Sequence, residues 1–375
     1  MNYWHCSIYW KHYPRVRPTM NFAHFRSTSI ILTALLGFAA SCSTPEQTVR
    51  LIVTYAGQDA RLERGGESEP VAVGTLVQTG DRLVTSTSPM DLQTSTGSVV
   101  RLRAYSHVEV ANLVAGTSLN LSQGSLIARV ERSAADEDFR VVTPTAIAGV
   151  RGTTFTIEEV PESGAHLVVQ DGQVALRPRV RALEDPELPA ADRAAIEQVL
   201  EGQEVVVGAS EQATLDSQTV SVIERMNASE ASNETPPALE ELSAVAEPVR
   251  VQSAPIGLRE QAEAMTLVQL DQELIERAAD GQGQTDLRDE LASAYTTERD
   301  AALDRLEEHA SAFDLSSTDA LRNEYQFLEV VNLRDETQVS GAVVAQAGDV
   351  LVVHTTAGIR RVRIPDVSYI DYLQQ

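Results

Sequence analysis

The residues best suited to acid–base or metal chemistry are the histidines, and their spacing argues against a reactive site. Downstream of position 42 the chain has four of them, His107, His166, His309 and His354. None lies at metal-ligand spacing from another. The motifs of serine hydrolases, phosphate-binding loops, zinc proteases and calcium-binding loops do not occur in the sequence. The sequence therefore predicts a protein that is not an enzyme, with no catalytic residue, no metal site and no cofactor.

Cysteine chemistry points to a covalent modification instead. The only cysteines are Cys6 and Cys42, and Cys42 follows an apolar run at 30–40 that ends in small residues. This order resembles a bacterial lipoprotein signal, which implies cleavage before Cys42 and a lipid on its sulfur. An ordinary secretory signal that leaves a free cysteine is the alternative. Because one cysteine would remain after cleavage, no intramolecular disulfide is expected.

The lipoprotein interpretation divides the N-terminal part of the chain into three segments. Residues 1–19 are expected to be a mis-called extension ahead of Met20, residues 20–41 a signal peptide, and residues 42–49 a tether. The lipid on Cys42 would make the membrane a partner. Ser43, rather than an aspartate, favours sorting to the outer membrane over the inner membrane. The periplasmic side of the outer membrane is expected rather than the cell surface.

The charge balance excludes one class of partner. The 375 residues contain 30 Lys+Arg and 54 Asp+Glu, for a net charge of −24. Such acidity argues against nucleic acid as a partner, because the phosphate backbone would be repelled. Lys11 is the only lysine. Adaptation to high external salt and a GC-rich genome, which favours arginine codons, both account for this composition.

The part of the chain that follows the tether has the pattern of an all-β domain. Short β-prone runs recur at roughly ten-residue spacing, separated by glycine and Asp/Ser/Thr turns, without intervening helices. Asp171-Gly172 between two apolar runs predicts a tight hairpin. We therefore expect a β-domain over 50–207, with a short helical insertion at 179–200.

One stretch of this domain carries a more specific pattern. The pattern consists of Thr143, Pro144, Ala146, Gly149, Val150, Arg151, Gly152, Thr153 and Phe155, with Asp171 and Gly172 in the element that follows. It resembles the FecR-type periplasmic domain, which implies a solenoid- or sandwich-like β-fold. FecR proteins relay a receptor signal to a cytoplasmic sigma factor by means of a spanning helix and a cytoplasmic domain. No such segment is recognised before the β-domain, so the sigma-regulator role is not expected to carry over.

The motif residues allow an architectural and a ligand-binding interpretation. Gly149 and Gly152 are expected to bracket a tight bend where side chains would clash or φ is positive. Val150 and Phe155 are expected to point inward, and Arg151 to bind backbone carbonyls or a buried carboxylate. The architectural interpretation of Val150 to Thr153 is favoured over a ligand contact.

Three further segments are predicted downstream. Residues 208–256, rich in Ala, Ser, Glu and Pro, indicate an acidic linker. Residues 257–315 predict two amphipathic helices at 258–280 and 286–313, which could form a hairpin or a self-associating coiled coil. Residues 328–373 return to β-strands and resemble a small SH3- or Sm-like barrel.

The sequence thus predicts a mainly β, lipid-anchored envelope protein whose FecR-like domain binds or scaffolds other envelope proteins. Envelope signal transduction is the alternative, and cell-wall or glycan binding is a third possibility. The lack of tryptophan beyond position 10 counts against the third, because glycan sites use exposed aromatic rings.

Overall fold

A long strand shared by two layers organises the N-terminal part of the protein. The computed structural model describes residues 48–114, 116–132, 138–228, 235–245, 247–253, 255–281 and 284–373. The described strands of this part form one continuous sheet that folds into two layers at β9 (Gly116–Val130). Gly124 marks the crossing point, because its φ is 83° and a Cβ there would lie 2.6 Å from the Tyr105 carbonyl oxygen. Only glycine accepts this backbone conformation and this close approach without strain.

The first layer runs in the spatial order β4-β1-β6-β7-β9-β12-β13-β16-β17. Its strands besides β9 are β1 (Leu51–Ala56), β4 (Leu76–Val77), β6 (Met90–Thr94), β7 (Val99–Leu102), β12 (Thr153–Val160), β13 (Gly164–Asp171), β16 (Glu211–Leu215) and β17 (Val249–Ser253).

The second layer runs in the order β3-β2-β5-β8-β9-β10-β11-β14-β15. Its strands besides β9 are β2 (Arg61–Arg64), β3 (Glu67–Pro70), β5 (Arg82–Val84), β8 (His107–Asn112), β10 (Asp138–Val142), β11 (Ala146–Val150), β14 (Gln173–Pro178) and β15 (Val205–Gly208). β10 runs parallel to β9, whereas the other pairs of both layers are antiparallel.

A single apolar core fills the space between the two layers. Alternate residues of the strands point inward, as a half-buried strand requires. Leu92 and Phe155 come from the first layer, and Leu83 and Val141 from the second, and all four are fully buried. The chain alternates between the layers as it advances along them, so the predicted all-β domain is confirmed and is sandwich-like.

The described parts of the segment 208–256 are folded, so the linker prediction is wrong. It contains β16, α2 (Ser217–Ala228), α3 (Thr235–Ala244) and β17. Val220 and Ile223 of α2 are buried in the sandwich core. Val222 and Leu242 pack with Ile196 of α1 (Ala190–Glu201) in a smaller core. The high content of Ala, Ser and Glu predicted a linker because the apolar residues are few. The burial of these few residues nevertheless fixes the segment on the rest of the protein.

The predicted helical pair at 257–315 is three helices, which pack inside the protein. They are α4 (Leu258–Met265), α5 (Gln272–Asp280) and α6 (Thr285–Ala310). The predicted first helix is interrupted before Asp271, whose side chain accepts hydrogen bonds from the Glu273 and Leu274 amides and so begins α5. The apolar stripe of α6, represented by Leu291 and Leu303, is buried against neighbouring elements of the same chain. It is therefore not available for the predicted self-association.

The C-terminal strands form a separate antiparallel sheet that follows α7 (Thr318–Tyr325). Its order is β21-β20-β19-β18-β22. The strands are β18 (Glu329–Leu333), β19 (Gln338–Ala347), β20 (Val350–Thr355), β21 (Gly358–Arg363) and β22 (Val367–Tyr372).

The predicted barrel is not closed in this C-terminal sheet. The first part of β19 pairs with β18 and the second with β20, and the register shifts between Val343 and Ala345. This bend wraps the sheet around a small core that includes Val331 and Val353. Among the described residues, β21 and β22 do not pair with each other, so both remain edge strands.

The predicted N-terminal extension, the signal peptide, Cys42 and most of the tether lie outside the described residues. None of the helices in the described ranges is long and apolar enough to cross a membrane.

Candidate functional site

The Thr143-Pro144-Thr145 part of the motif forms a hydrogen-bonded turn between β10 and β11. The Thr143 hydroxyl accepts hydrogen bonds from the amides of Thr145 (3.2 Å) and Ala146 (3.0 Å). The Thr145 hydroxyl accepts from the Ala165 amide (3.0 Å) and donates to the Glu159 carboxylate. Burial raises the pKa of Glu159 above its usual value, against the effect of these hydroxyl donors. The turn therefore fixes the second layer to the β12–β13 hairpin of the first.

The glycines of the motif meet where the β11–β12 bend approaches the β13–β14 turn. Gly152 has a φ of 61° and Gly172 a φ of 85°. A Cβ at Gly172 would lie 2.6 Å from the Gly152 carbonyl oxygen. The Thr153 hydroxyl bridges the same two turns, since it donates to the Gln173 carbonyl (2.9 Å) and accepts from the Gln173 amide (3.2 Å).

Gly149 does not fit the bend predicted from the sequence. It lies within β11, its φ is outside the left-handed region, and a Cβ there would meet only the Ala175 carbonyl oxygen at 3.9 Å. The bend begins one residue after β11 ends, and of the two glycines predicted to bracket it only Gly152 lies in it.

The remaining motif residues are divided between the core and the surface. Phe155 is fully buried and packs edge-to-face on Phe139, with their ring centroids 6.5 Å apart, and Val150 is buried near them. Arg151 and Asp171 are exposed. Pro144 is half-buried, and its carbonyl accepts a hydrogen bond from the Asn227 side chain. Most of these contacts tie the motif to its own domain.

The histidines are also separate from one another in the fold. No cluster of His, Cys, Asp and Glu able to hold a metal ion is present in the described ranges. His354 is buried, and its Nδ1 lies 2.7 Å from the Tyr325 hydroxyl. Burial lowers the pKa of His354, which favours the neutral ring. This pair joins α7 to β20.

The only ion pair with both side chains buried in the described part of the chain lies on the outer face of the first layer. Asp91 of β6 and Arg101 of β7 are cross-strand partners, and each residue is 3% exposed. Arg101 donates from Nε to Asp91 Oδ1 (2.8 Å) and from Nη2 to Asp91 Oδ2 (2.8 Å). This two-bond geometry is the strongest that arginine and a carboxylate can form.

Helix α6 completes the environment of Asp91. The Tyr295 hydroxyl donates to Asp91 Oδ2 over 2.6 Å, and the Tyr295 ring stacks on Tyr55 with their centroids 5.4 Å apart. Burial and the nearby carboxylate raise the pKa of Tyr295 well above its usual value, and burial raises the pKa of Tyr55 to about 12. Both tyrosines are therefore neutral at ordinary pH, and Tyr295 remains a donor.

The segment between α4 and α5 covers Arg101. The Arg101 guanidinium also donates to the Thr266 hydroxyl (3.0 Å) and the Thr266 carbonyl (2.8 Å). Nearby, the Gln93 side chain accepts from the Leu270 amide and donates to the Leu270 carbonyl, both over 2.8 Å. We call Asp91, Arg101, Thr266 and Tyr295 the docking network.

The docking network specifies a contact between protein segments. Its polar atoms bond to one another, and the side chains are buried, so no substrate could reach them. A misplaced α4–α5 segment would leave Arg101 without part of its hydrogen bonds in a nonpolar environment, which is costly. The network therefore favours a single docked arrangement of the helices on the sheet.

Sequence reasoning missed these residues. Asp91 and Arg101 alternate with the apolar residues Met90, Leu92 and Leu102, and this pattern is typical of a solvated outer face. The available signal was the pairing of opposite charges on adjacent strands, together with the apolar stripe of α6, which needed a surface to pack on.

A cleft of about 480 Å³ lies beside α4 and α7. Its lining includes Glu211, Glu260, Glu324, Arg259 and His166. Arg259 lies 3.6 Å from Glu329 and over the Tyr325 ring. The charges are of mixed sign, and within the described residues they do not form a nucleophile–base pair.

Comparisons with known proteins agree with the motif. Residues 81–175, from the turn before β5 into β14, match the family described as FecR protein. The chain is also similar to two crystal structures, at 2.50 Å and 1.65 Å resolution, of a proposed anti-sigma factor from Parabacteroides distasonis. The sequence identity is 14% in both cases, with TM-scores of 0.30 and 0.31. The matches cover 48% of this chain and 61% and 63% of those chains, so it spans about six-tenths of their length. No curated protein matches the chain.

Proposed function

We propose that this protein is a non-enzymatic component of envelope signal transduction that acts through contacts with other envelope proteins. The observation that carries the proposal is the FecR match over residues 81–175. This match supports the alternative prediction from the sequence better than the scaffolding role that was preferred there, so signalling replaces scaffolding as the proposed role.

The docking network suggests how the matched region would communicate with the rest of the chain. Asp91 and Arg101 both lie within residues 81–175, and their partners Thr266 and Tyr295 lie outside them. Arg101 binds both the sheet and the α4–α5 segment. A partner that changes the sheet would therefore change the docking of the helices and the surface that they present.

Deletion of the gene tests this proposal. We expect a restricted set of transcripts to change and to be restored by the wild-type gene. Complementation with Arg277→Met serves as a control. This variant breaks only the exposed ion pair with Glu290, so it should restore the transcripts as the wild-type gene does. In-cell crosslinking should recover an envelope protein partner. An unchanged transcript profile under conditions in which the protein is abundant would refute the signalling role.

We further propose that the protein is held at the membrane by a lipid on Cys42, on the periplasmic side of the outer membrane. The supporting observation is the apolar run at 30–40 followed by small residues and Cys42. Cleavage before Cys42 would remove four basic residues and no acidic one, which leaves an even more acidic chain.

Labelling of cells with a radioactive fatty acid tests the anchor. Cys42→Ala should abolish the label and release the protein from the membrane fraction, because the proposed acceptor thiol is removed. Cys6→Ala changes the only other cysteine and should leave label and membrane association unchanged. A label that persists in Cys42→Ala would exclude the proposed lipidation. Fractionation of the two membranes then tests the predicted sorting.

A further inference from the structure

The edge strand β22 exposes an unusual concentration of large apolar and aromatic side chains. Tyr369 is 56% exposed, Ile370 45% and Tyr372 75%, and Phe327 just before β18 is 64% exposed. Ile370 lies opposite the buried Val331, so it shares the face that elsewhere covers the small C-terminal core. On this face the Ile370 side chain lies at the margin of the core and is partly exposed to solvent.

Within the described ranges, the backbone of β22 also has groups that pair with no other strand. The Leu373 amide donates to the Leu328 carbonyl over 2.8 Å, which fixes the phase of the β18–β22 ladder. In an antiparallel ladder every second residue directs its N–H and C=O toward the partner strand. Tyr369 and Asp371 therefore face β18, and Ile370 and Tyr372 direct their backbone groups away from the sheet.

Two other edges of the fold, those formed by β21 and β3, carry features that prevent strand addition. Charged side chains and proline are the usual protection of an exposed edge. β21, the opposite edge of the same sheet, carries Arg360, Arg361 and Arg363, and the edge strand β3 consists of Glu67, Ser68, Glu69 and Pro70. In contrast, the only charge on β22 is Asp371.

We propose that β22 pairs with β22 of a second copy of this chain, antiparallel and centred on Ile370. The sequence around Ile370 is self-complementary in this register. Ile370 lies opposite Ile370 of the second copy, and Tyr369 lies opposite Asp371. The two copies are related by a two-fold axis perpendicular to the sheet, and the resulting interface is isologous.

Side-chain direction and backbone phase agree with this register. Residues 369 and 371 share one face of the strand, and 370 and 372 share the other, so each cross-strand pair lies on one face. Ile370 directs its N–H and C=O outward, so the Ile370 pair is a hydrogen-bonded pair. Together with the flanking residues it adds on the order of four to six backbone hydrogen bonds.

Charge complementarity favours a second copy in this register over a slipped one. Asp371 lies opposite a tyrosine, whereas a shift that placed the two Asp371 residues together would set like charges against each other. The net charge of the chain, −24, still opposes association over longer distances. Salt screens that repulsion, with a Debye length of about 8 Å at physiological ionic strength. The dimer is therefore expected to tighten as salt is raised.

Disulfide trapping of the full chain tests the register. Ile370→Cys should form a covalent dimer under oxidising conditions, because the opposed Cα atoms would be about 5.5 Å apart, within the range for a disulfide. Asp371→Cys is the matched control. Residue 371 would lie opposite Tyr369 of the second copy. The two cysteines at 371 would therefore be only diagonal neighbours, too far apart for a disulfide, and should not crosslink. The wild-type chain controls for Cys6 and Cys42.

Light scattering in detergent, corrected for bound detergent, provides a second measurement. The wild-type chain should have the mass of two copies and Ile370→Pro that of one. Proline at 370 removes an outward N–H and no hydrogen bond to β18, so its circular dichroism should match that of the wild type. A single-copy mass for the wild type, a dimer that survives Ile370→Pro, or crosslinking by Asp371→Cys in place of Ile370→Cys would overturn the proposal. So would a β22 that binds only a different protein.

Discussion

Replacement of Arg101 by methionine is expected to lower the free energy of unfolding by about 3–5 kcal/mol. Removal of one member of a buried ion pair leaves the other charge without compensation, and this cost exceeds the net value of the intact pair. Asp91 would retain only the Tyr295 hydroxyl as a side-chain donor from the docking network. The measurement is equilibrium unfolding in urea, with the midpoint and the slope compared with those of the wild type.

Two further variants separate the buried charge from other effects of the substitution. The triple variant Asp91→Leu, Arg101→Met and Tyr295→Phe removes the charges and the hydroxyl together. It should recover much of the lost stability, because an apolar replacement of a whole buried pair is often neutral. Arg277→Met disrupts an exposed pair and should change the unfolding midpoint little. A stability of Arg101→Met equal to that of Arg277→Met would contradict the role of the docking network.

The Arg101 variant also has an expected structural consequence outside the sheet. Thr266 would lose both of its bonds to the guanidinium. Because Thr266 lies between α4 and α5, hydrogen exchange in 258–280 should accelerate more than exchange in the sandwich core. This difference distinguishes weakened docking from general destabilisation.

The sandwich could be predicted from the sequence because its pattern is local. Leu92 and Phe155 alternate with outward residues along their strands. Asp171-Gly172 does mark a turn, but the predicted hairpin is wrong, because the turn joins β13 of the first layer to β14 of the second and these two strands pair with other strands. The FecR-like motif added a resemblance to the FecR family, whose pattern residues 81–175 match. Each of these signals depends on residues a few positions apart, so it can be recognised in a single sequence.

The docking network could not be predicted because it joins residues distant in the chain. Asp91 and Tyr295 are separated by 204 positions and Arg101 and Thr266 by 165. Before the helices are placed, Asp91 and Arg101 look like any charged pair on a solvated strand face. The wrong linker prediction at 208–256 has a related cause. Apolar residues such as Val220 and Leu242 are too few to change the polar composition of the segment, and they stabilise it only by packing into cores that other segments form.

The second large effect is expected at Gly172. Gly172→Ala should destabilise the protein by about 1–3 kcal/mol from the backbone alone, the usual cost of a non-glycine residue at positive φ. Its φ is 85°, and the new Cβ would in addition lie 2.6 Å from the Gly152 carbonyl oxygen and 2.7 Å from the Thr153 hydroxyl oxygen. These neighbours are part of the bend itself, so the bend must move, and the total loss should exceed the backbone term.

Gly149→Ala is the matched control, because it makes the same chemical change in the same motif. Gly149 lies in β11 at an ordinary φ, and its added Cβ would meet only the Ala175 carbonyl oxygen at 3.9 Å. Alanine is favoured over glycine inside a strand by roughly 0.5–1 kcal/mol, so Gly149→Ala should be neutral or slightly stabilising. Urea unfolding of both variants gives the comparison. If both lost the same stability, the motif glycines would be equivalent, and the close approach of the two turns would not be the reason that Gly172 is required.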